Sequence, residues 1–256
     1  MLNHITSGRG APVVLIHAFP LCHDMWRPQM RQLSQHGLIV APDLPGFGES
    51  PRQAKPSIPG MAREVAGLLD GLKIQEPAIV CGLSMGGYVT FEFLRQFPER
   101  VRALGLFSTR AAADTPEARE GRFKTAEKIR ADGLEPFAKS ILPKLLGKSS
   151  MSQSNLVEQL TAMILANEPE GVAGALLAMA GRADSTSLLE EIKVPALVAA
   201  GEEDSFIPPE ESEQMAASID GAQFSLIKTA GHLINMEDPA SFTQALERFV
   251  VSVAHT

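Results

Sequence analysis

The pentapeptide Gly82-Leu83-Ser84-Met85-Gly86 is the segment whose residue types and spacing could most directly do chemistry. It follows the apolar, strand-like run 78–81 and precedes a stretch of helical spacing that starts at Gly87. A serine in a tight turn between a strand and a helix exposes its hydroxyl, and glycines on both sides let the backbone and the helix approach closely. The pattern predicts that Ser84 is a nucleophile.

A serine hydroxyl is a weak nucleophile, so it needs a base within hydrogen-bonding distance and a carboxylate that orients the base. His232 lies in Ala230-Gly231-His232-Leu233, between the predicted strand 223–227 and the predicted helix 239–253. A loop at that place could bring the imidazole to the edge of the sheet. We therefore predict His232 as the base, in the chain order serine, acid, histidine.

The acid should follow a strand end between the serine and the histidine. The predicted strand 196–200 leads into Gly201-Glu202-Glu203-Asp204, and Asp204 is our candidate. Glu202 and Glu203 are competing carboxylates, and an acidic run of this kind is often only a solvated loop.

Attack on a carbonyl carbon creates an oxyanion, which needs two preorganised backbone N–H donors. The amide of Met85, directly after the serine, is one candidate. Phe19 supplies the second candidate, because His17-Ala18-Phe19-Pro20 follows the predicted strand 13–16 and Pro20 has no N–H. We predict a structural hydrogen-bonding role for His17.

Bulk composition excludes several classes of function. The chain has 256 residues, 45% of them hydrophobic, which is enough for a substantial core, and a formal net charge of -7. An acidic chain without a dense basic face is a poor partner for nucleic acid. No basic leader or membrane-length apolar run is present, so we expect a cytoplasmic protein without a membrane partner.

No motif in the sequence predicts a metal or a cofactor. Cys22, His23 and Asp24 are adjacent, and three neighbouring positions cannot easily converge on one ion. Gly46-Phe47-Gly48 lacks the third glycine and the helix start of a dinucleotide-binding loop. The segment 43–50 is instead predicted to be an ordered loop near the site.

Short apolar runs alternate with stretches of helical spacing, which is typical of an α/β protein with a mostly parallel, doubly wound sheet. The strands are predicted at residues 13–16, 38–41, 78–81, 101–107, 196–200 and 223–227, and the helices at 60–72, 87–96 and 239–253. Residues 2–6, before the turn at Gly8-Arg9-Gly10, could form an antiparallel edge hairpin with the segment after that turn.

The segment 111–190 breaks this alternation. It offers consecutive helical patterns at 117–131, 134–146, 156–166 and 171–180, so we predict a helical cap over the carboxyl edge of the sheet. The remaining core would comprise residues 1–110 and 191–256.

Together these motifs resemble the α/β-hydrolase superfamily over nearly the whole chain. The motifs are His17-Ala18-Phe19-Pro20, Asp43-Leu44-Pro45-Gly46-Phe47-Gly48, Gly82-Leu83-Ser84-Met85-Gly86-Gly87, Gly201-Glu202-Glu203-Asp204 and Ala230-Gly231-His232. Within the superfamily, the chain resembles bacterial carboxylesterases and 3-oxoadipate enol-lactonases. The resemblance favours Asp204 over its two neighbours as the acid.

The resemblance implies a serine hydrolase that acts on a small-molecule ester through Ser84, Asp204 and His232, with the Phe19 and Met85 amides as the oxyanion hole. A lactonase of the enol-lactone type is an alternative. A non-catalytic small-molecule receptor on the same fold is a second alternative. Dehalogenases and epoxide hydrolases of the superfamily are disfavoured, because they use an aspartate where this chain has Ser84.

Overall fold

A computed structural model describes residues 1–254, and within that range seven strands form one sheet. The last two positions of the predicted core segment 191–256 lie outside the described residues. The strands are β1 (His4–Ser7), β2 (Pro12–Ile16), β3 (Leu38–Pro42), β4 (Ala78–Leu83), β5 (Val101–Phe107), β6 (Ala196–Gly201) and β7 (Gln223–Ile227). Every residue of β2, β4 and β6 is buried, as expected for central parallel strands that are covered on both faces.

The strand order is β1-β3-β2-β4-β5-β6-β7, with β1 antiparallel to β3 and all other neighbours parallel. This confirms the predicted mostly parallel sheet. The predicted edge hairpin is wrong in its partner, because β1 pairs with β3 and not with β2, the next strand along the chain. Both edges of β2 are already paired, with β3 and with β4, so β1 pairs along the outer edge of β3 instead.

Ten α-helices occur within residues 1–254. They are α1 (Arg27–Leu33), α2 (Ile58–Gly71), α3 (Met85–Gln96), α4 (Pro116–Asp132), α5 (Leu134–Leu145), α6 (Ser154–Leu165), α7 (Pro169–Ala180), α8 (Pro209–Ala217), α9 (Ile234–Glu237) and α10 (Pro239–Ala254). Short 3₁₀ turns cover His23–Trp26, Pro98–Arg100, Ser150–Ser152 and Leu189–Glu191. None of the helices in the described range is long and apolar enough to cross a membrane.

The helices form two layers because the connections run in opposite directions from β2. The chain moves through α1 to β3 on one side of β2, and then through α2 to β4 on the other side. Right-handed crossovers therefore place α1 and α2 on opposite faces of the sheet. Consistent with this, α1 packs against α10, while α2 packs against α3.

This reversal creates a crevice at the carboxyl ends of β2 and β4, where open α/β sheets bind their ligands. The two strands are direct neighbours, and Ile16 pairs with Gly82. The loop that contains Phe19 and the turn that contains Ser84 therefore begin side by side.

Helices α4 to α7 lie between β5 and β6 and form the helical cap. The first of them begins at Pro116, whose missing N–H costs nothing in a first helical turn. The Thr115 hydroxyl caps this helix by accepting the Ala118 N–H at 3.2 Å. Within the cap, α4 packs against α7 and α5 against α6.

Candidate active site

Ser84 occupies a strained turn between β4 and α3. Its φ of 56° lies in the left-handed region, which side chains other than glycine rarely adopt. The Ser84 N–H donates to the Phe107 carbonyl at 2.8 Å, and the Thr109 hydroxyl donates to the Ser84 carbonyl at 2.9 Å. These bonds hold the turn, and the half-buried side chain lines a cavity.

The glycines around Ser84 are required by close packing. A Cβ on Gly82 would lie 2.1 Å from the Gly86 carbonyl oxygen, and a Cβ on Gly86 would lie 2.3 Å from the Ile16 carbonyl oxygen. Both distances are too short for any side chain. The first turn of α3 can therefore pack directly against the ends of β2 and β4.

The structure brings Asp204 and His232 together at the carboxyl ends of β6 and β7. The Nδ1 atom of His232 lies 2.8 Å from Oδ2 of Asp204. Both residues are buried, His232 with 3% and Asp204 with 5% of its surface exposed. The other carboxylate oxygen, Oδ1, accepts the amides of Phe206 and Ile207 at 2.9 and 3.0 Å. With Nδ1 donating to the carboxylate, the lone pair of the imidazole is on Nε2.

The electrostatics of Asp204 favour an ionised carboxylate. Burial raises its pKa, but the adjacent His232 and the two loop amides outweigh burial and hold the pKa below its usual value. The competing acids lie elsewhere. Glu202 accepts the Thr229 amide and Glu203 accepts the Lys148 amide, so neither is the partner of His232.

Glu237, which the sequence analysis did not single out, holds the loop around His232. One carboxylate oxygen accepts the amides of Gly147 and Gly231 at 2.7 and 2.9 Å, and the other accepts the Leu233 amide at 3.0 Å. The N–H of His232 itself donates to the Leu145 carbonyl at the end of α5. These bonds, which we call the Glu237 clamp, tie both neighbours of His232 to the cap. In the sequence, only the spacing of five residues between Glu237 and His232 could have indicated this role.

The two predicted oxyanion donors lie on either side of the crevice. Met85 is the first residue of α3, where a helix leaves its N–H groups without a helical acceptor. Among residues 1–254, no hydrogen bond uses the amide of Met85 or of Phe19 as donor. The preceding amide, that of Ala18, donates to the Met25 sulfur at 3.2 Å, which fixes the direction of the loop.

His17 connects the Phe19 loop to the loop after β3. Its Nδ1–H donates to the Ala18 carbonyl at 2.9 Å, and its Nε2 accepts the Leu44 amide at 2.9 Å. Complete burial lowers the pKa of His17 to about 4, so the ring is neutral at pH 7. The adjoining Asp43 accepts hydrogen bonds from the His23 amide, the His23 ring and Asn3.

A cavity of about 390 Å³ lies between the sheet edge and the cap. The core contributes Ser84 and His232 to its lining, and the cap contributes residues of α4, α5 and α7. Phe19 packs edge-on against Phe137 of α5, with ring centroids 5.9 Å apart, which closes one side. This volume suits a small organic molecule.

Comparison with known proteins agrees with this fold. A family described as the alpha/beta hydrolase fold matches residues 11–239. The chain belongs to the α/β-hydrolase family. It is 30% identical to 3-oxoadipate enol-lactonase 1 of Acinetobacter baylyi over 97% of this chain and 92% of that one.

Two solved structures extend the comparison. A thermophilic esterase from Thermogutta terrifontis with bound malate has a TM-score of 0.97 and 42% identity, and the match covers 100% of this chain and 94% of the esterase. The enol-lactonase from Burkholderia xenovorans LB400 has a TM-score of 0.89 and 28% identity, covering 97% of this chain and 95% of the lactonase. This α/β hydrolase is thus similar in structure both to an esterase and to a lactonase.

Proposed function

We propose that this α/β hydrolase is a carboxylesterase that uses Ser84 as nucleophile, His232 as base and Asp204 as orienting acid. One observation carries the proposal: a buried imidazole, 2.8 Å from a buried carboxylate, lines the same cavity as a serine in a strained strand-to-helix turn. An imidazole held in this orientation by a carboxylate, in one cavity with a serine, is the arrangement that serine esterases require.

The reaction begins when Nε2 of His232 takes the proton of the Ser84 hydroxyl as the oxygen attacks the ester carbonyl carbon. Negative charge moves to the carbonyl oxygen, and the amides of Phe19 and Met85 donate to it. Asp204 stays ionised and stabilises the imidazolium. Its second oxygen is already held by two loop amides, so the carboxylate does not rotate during the step.

Collapse of the tetrahedral intermediate breaks the bond to the alcohol oxygen, which leaves with the proton from His232. The acyl group remains on Ser84. Water then gives a proton to His232 and attacks the acyl carbon, after which the acid leaves and Ser84 regains its proton. The overall reaction consumes one ester and one water and releases one acid and one alcohol.

The similarity to the Thermogutta terrifontis esterase, at 42% identity, favours esters as the substrates. Lactones are the second candidate, because ring opening uses the same groups and because the Acinetobacter baylyi lactonase aligns over nearly the whole chain. The bound malate in the esterase structure is a small dicarboxylate, which makes esters of small acids suitable first substrates. Side-by-side rates on acyclic esters and enol-lactones would separate the two activities.

The decisive experiment is hydrolysis of a short-chain p-nitrophenyl ester by the wild type, Ser84→Ala, His232→Ala and Asp204→Asn. We expect Ser84→Ala to abolish turnover and the other two variants to lose at least about a thousandfold in kcat, as triad members do. Ser154→Ala, which changes an exposed serine at the start of α6, is the matched control and should retain wild-type activity. Full activity in Ser84→Ala would refute the assignment.

Two assays on the wild-type protein distinguish an enzyme from a non-catalytic receptor on the same fold. Covalent labelling of Ser84 by a fluorophosphonate, without turnover of any ester or lactone in a broad panel, would favour a binding role. Turnover of several esters would favour the enzyme.

A further inference from the structure

The charges that line the active-site cavity have the opposite sign to those of the whole chain. The chain contains 30 acidic and 23 basic residues. Within the described range, the charged side chains that line the cavity are Arg110, Arg122, Lys144 and the single carboxylate Asp114. An acidic protein with a cationic cavity is suited to a ligand that carries negative charge.

These cations differ in how far the protein already satisfies them. Arg110 donates to the Phe206 carbonyl at 2.7 Å and lies 3.2 Å from a Glu211 oxygen, so its charge is balanced locally. Lys144 is exposed on α5, where water screens it. Arg122 is the partly buried cation of α4, with 22% of its side chain exposed.

Arg122 is held in one orientation by Asp114. Its Nε and Nη2 atoms donate to the two oxygens of that carboxylate, a bidentate pairing that fixes the plane of the guanidinium. Its Nη1 atom lies 3.3 Å from the Met179 sulfur, which is a weak acceptor. A guanidinium has five N–H groups. Three of those of Arg122 have an acceptor within residues 1–254, and the other two have none.

The negative charge of Asp114 does not fully neutralise Arg122, because a second guanidinium shares the same carboxylate. Arg182 lies 2.6 Å from Asp114 Oδ1, with its side chain 3% exposed, and it stacks 4.2 Å above the ring of Tyr88, which lines the cavity. Two guanidiniums on one carboxylate leave an excess positive charge beside the cavity. Asp184 also interacts with Arg182, but it is exposed and outside the lining.

The cavity face of α4 leaves room for a ligand at Arg122. The other residues of α4 that line the cavity are Ala118, Gly121 and Thr125, which are all small. A Cβ added to Gly121 would meet no atom within 4 Å. Arg122 is thus the one long side chain on an otherwise open surface.

We propose that Arg122 forms a carboxylate-binding site in this cavity, so that the preferred substrates are esters or lactones that carry a carboxylate away from the scissile bond. The proposal rests on the proposed esterase function and specifies its substrate class. The two oxygens of a carboxylate can accept the two N–H groups of Arg122 that have no protein acceptor within residues 1–254, and charge-assisted hydrogen bonds of this kind are strong.

Two matched substrate pairs test the proposal. Monomethyl adipate carries the carboxylate in its acyl part, and methyl 5-carbamoylpentanoate is its neutral amide analogue of equal size. The second pair, 4-acetoxybutanoate and 4-acetoxybutanamide, carries the same groups in its alcohol part. We expect the wild type to favour the carboxylate member of at least one pair by tenfold or more in kcat/KM, the range of one charge-assisted hydrogen bond. No preference in either pair would overturn the proposal.

Variants assign the preference to Arg122. Arg122→Gln should raise KM for the preferred carboxylate ester at least tenfold and leave the neutral amide analogue within twofold. Lys128→Gln, which removes one exposed charge from the same helix, is the matched control and should change neither substrate. Equal losses on both members of the pair in Arg122→Gln would mean a structural role only and would overturn the proposal.

A further variant covers misfolding of Arg122→Gln, which leaves Asp114 paired with Arg182 alone. Arg122→Lys keeps the charge without the fork and should lose part of the preference. If the wild type hydrolyses no ester at all, the proposed function fails, and calorimetric titration with adipate still tests the site. Binding that Arg122→Gln weakens tenfold would support the site, and no binding would overturn it.

Discussion

Replacing Glu237 tests how the loop of His232 is held in place. In Glu237→Ala the amides of Gly147, Gly231 and Leu233 lose their acceptor at the same time. A buried N–H without a partner costs about 1–3 kcal/mol. These residues are buried, but Glu237 itself is half-buried, so water can replace part of the carboxylate. We therefore take the lower end of that range for each amide and expect a loss of about 3 kcal/mol in the free energy of unfolding.

Glu237→Gln should be milder, because the carbonyl oxygen of the glutamine side chain can still accept. The Gly147 and Gly231 amides share Oε2, so an amide group can accept either that pair or the Leu233 amide. This predicts a loss of about 1–2 kcal/mol. Both variants should also lower kcat for ester hydrolysis more than they raise KM, because Gly231 and Leu233 flank the proposed base.

Urea unfolding and steady-state kinetics measure these effects. Glu213→Ala removes an exposed carboxylate from α8 and should stay within about 0.5 kcal/mol of the wild type. If Glu237→Ala matched this control in both stability and kcat, the clamp would not position His232, and the reasoning would be refuted.

Two further predictions concern the loops beside Ser84. Burial lowers the pKa of His17 from its ordinary 6.5 to about 4, so the unfolded chain binds a proton first as the pH falls. Stability should decline by up to about 3 kcal/mol between pH 6.5 and pH 4, and urea titrations of His17→Asn should lack most of that slope; an unchanged slope would contradict the assignment. Gly86→Ala places a Cβ 2.3 Å from the Ile16 carbonyl oxygen. We expect it to lower the free energy of unfolding by more than about 2 kcal/mol and to reduce esterase activity. Gly67→Ala, at an exposed position of α2 where a Cβ meets no atom within 4 Å, should stabilise by about 0.5–1 kcal/mol, and equal effects of the two substitutions would argue against the packing explanation.

Local sequence information was sufficient for the strands and for the turn that contains Ser84. Apolar runs identify β2 and β4 because strands buried on both faces need no polar positions. The glycines around Ser84 carry their own signal, since each occupies a place where a Cβ would collide with nearby backbone. The short helices α8 and α9 lacked an extended apolar stripe and were not predicted as separate elements.

Local sequence patterns did not predict which distant segments would pair. The partner of β1 depended on which strand edge was free once β2 had paired on both sides. The motifs suggested Asp204 in preference to Glu202 and Glu203, but only the folded loops show which carboxylate reaches His232.

The amino-acid sequence by itself determined the chemistry available to this hydrolase, because a strained serine, a loop histidine and a loop carboxylate follow from local residue types and chain order. The tertiary structure decided the Glu237 clamp and the orientation of Arg122 toward the cavity. Both depend on hydrogen bonds between segments far apart in the chain, such as Gly147 with Glu237, and on which side of α4 faces the sheet. Local residue patterns do not encode such contacts, since they form only when the cap packs onto the core.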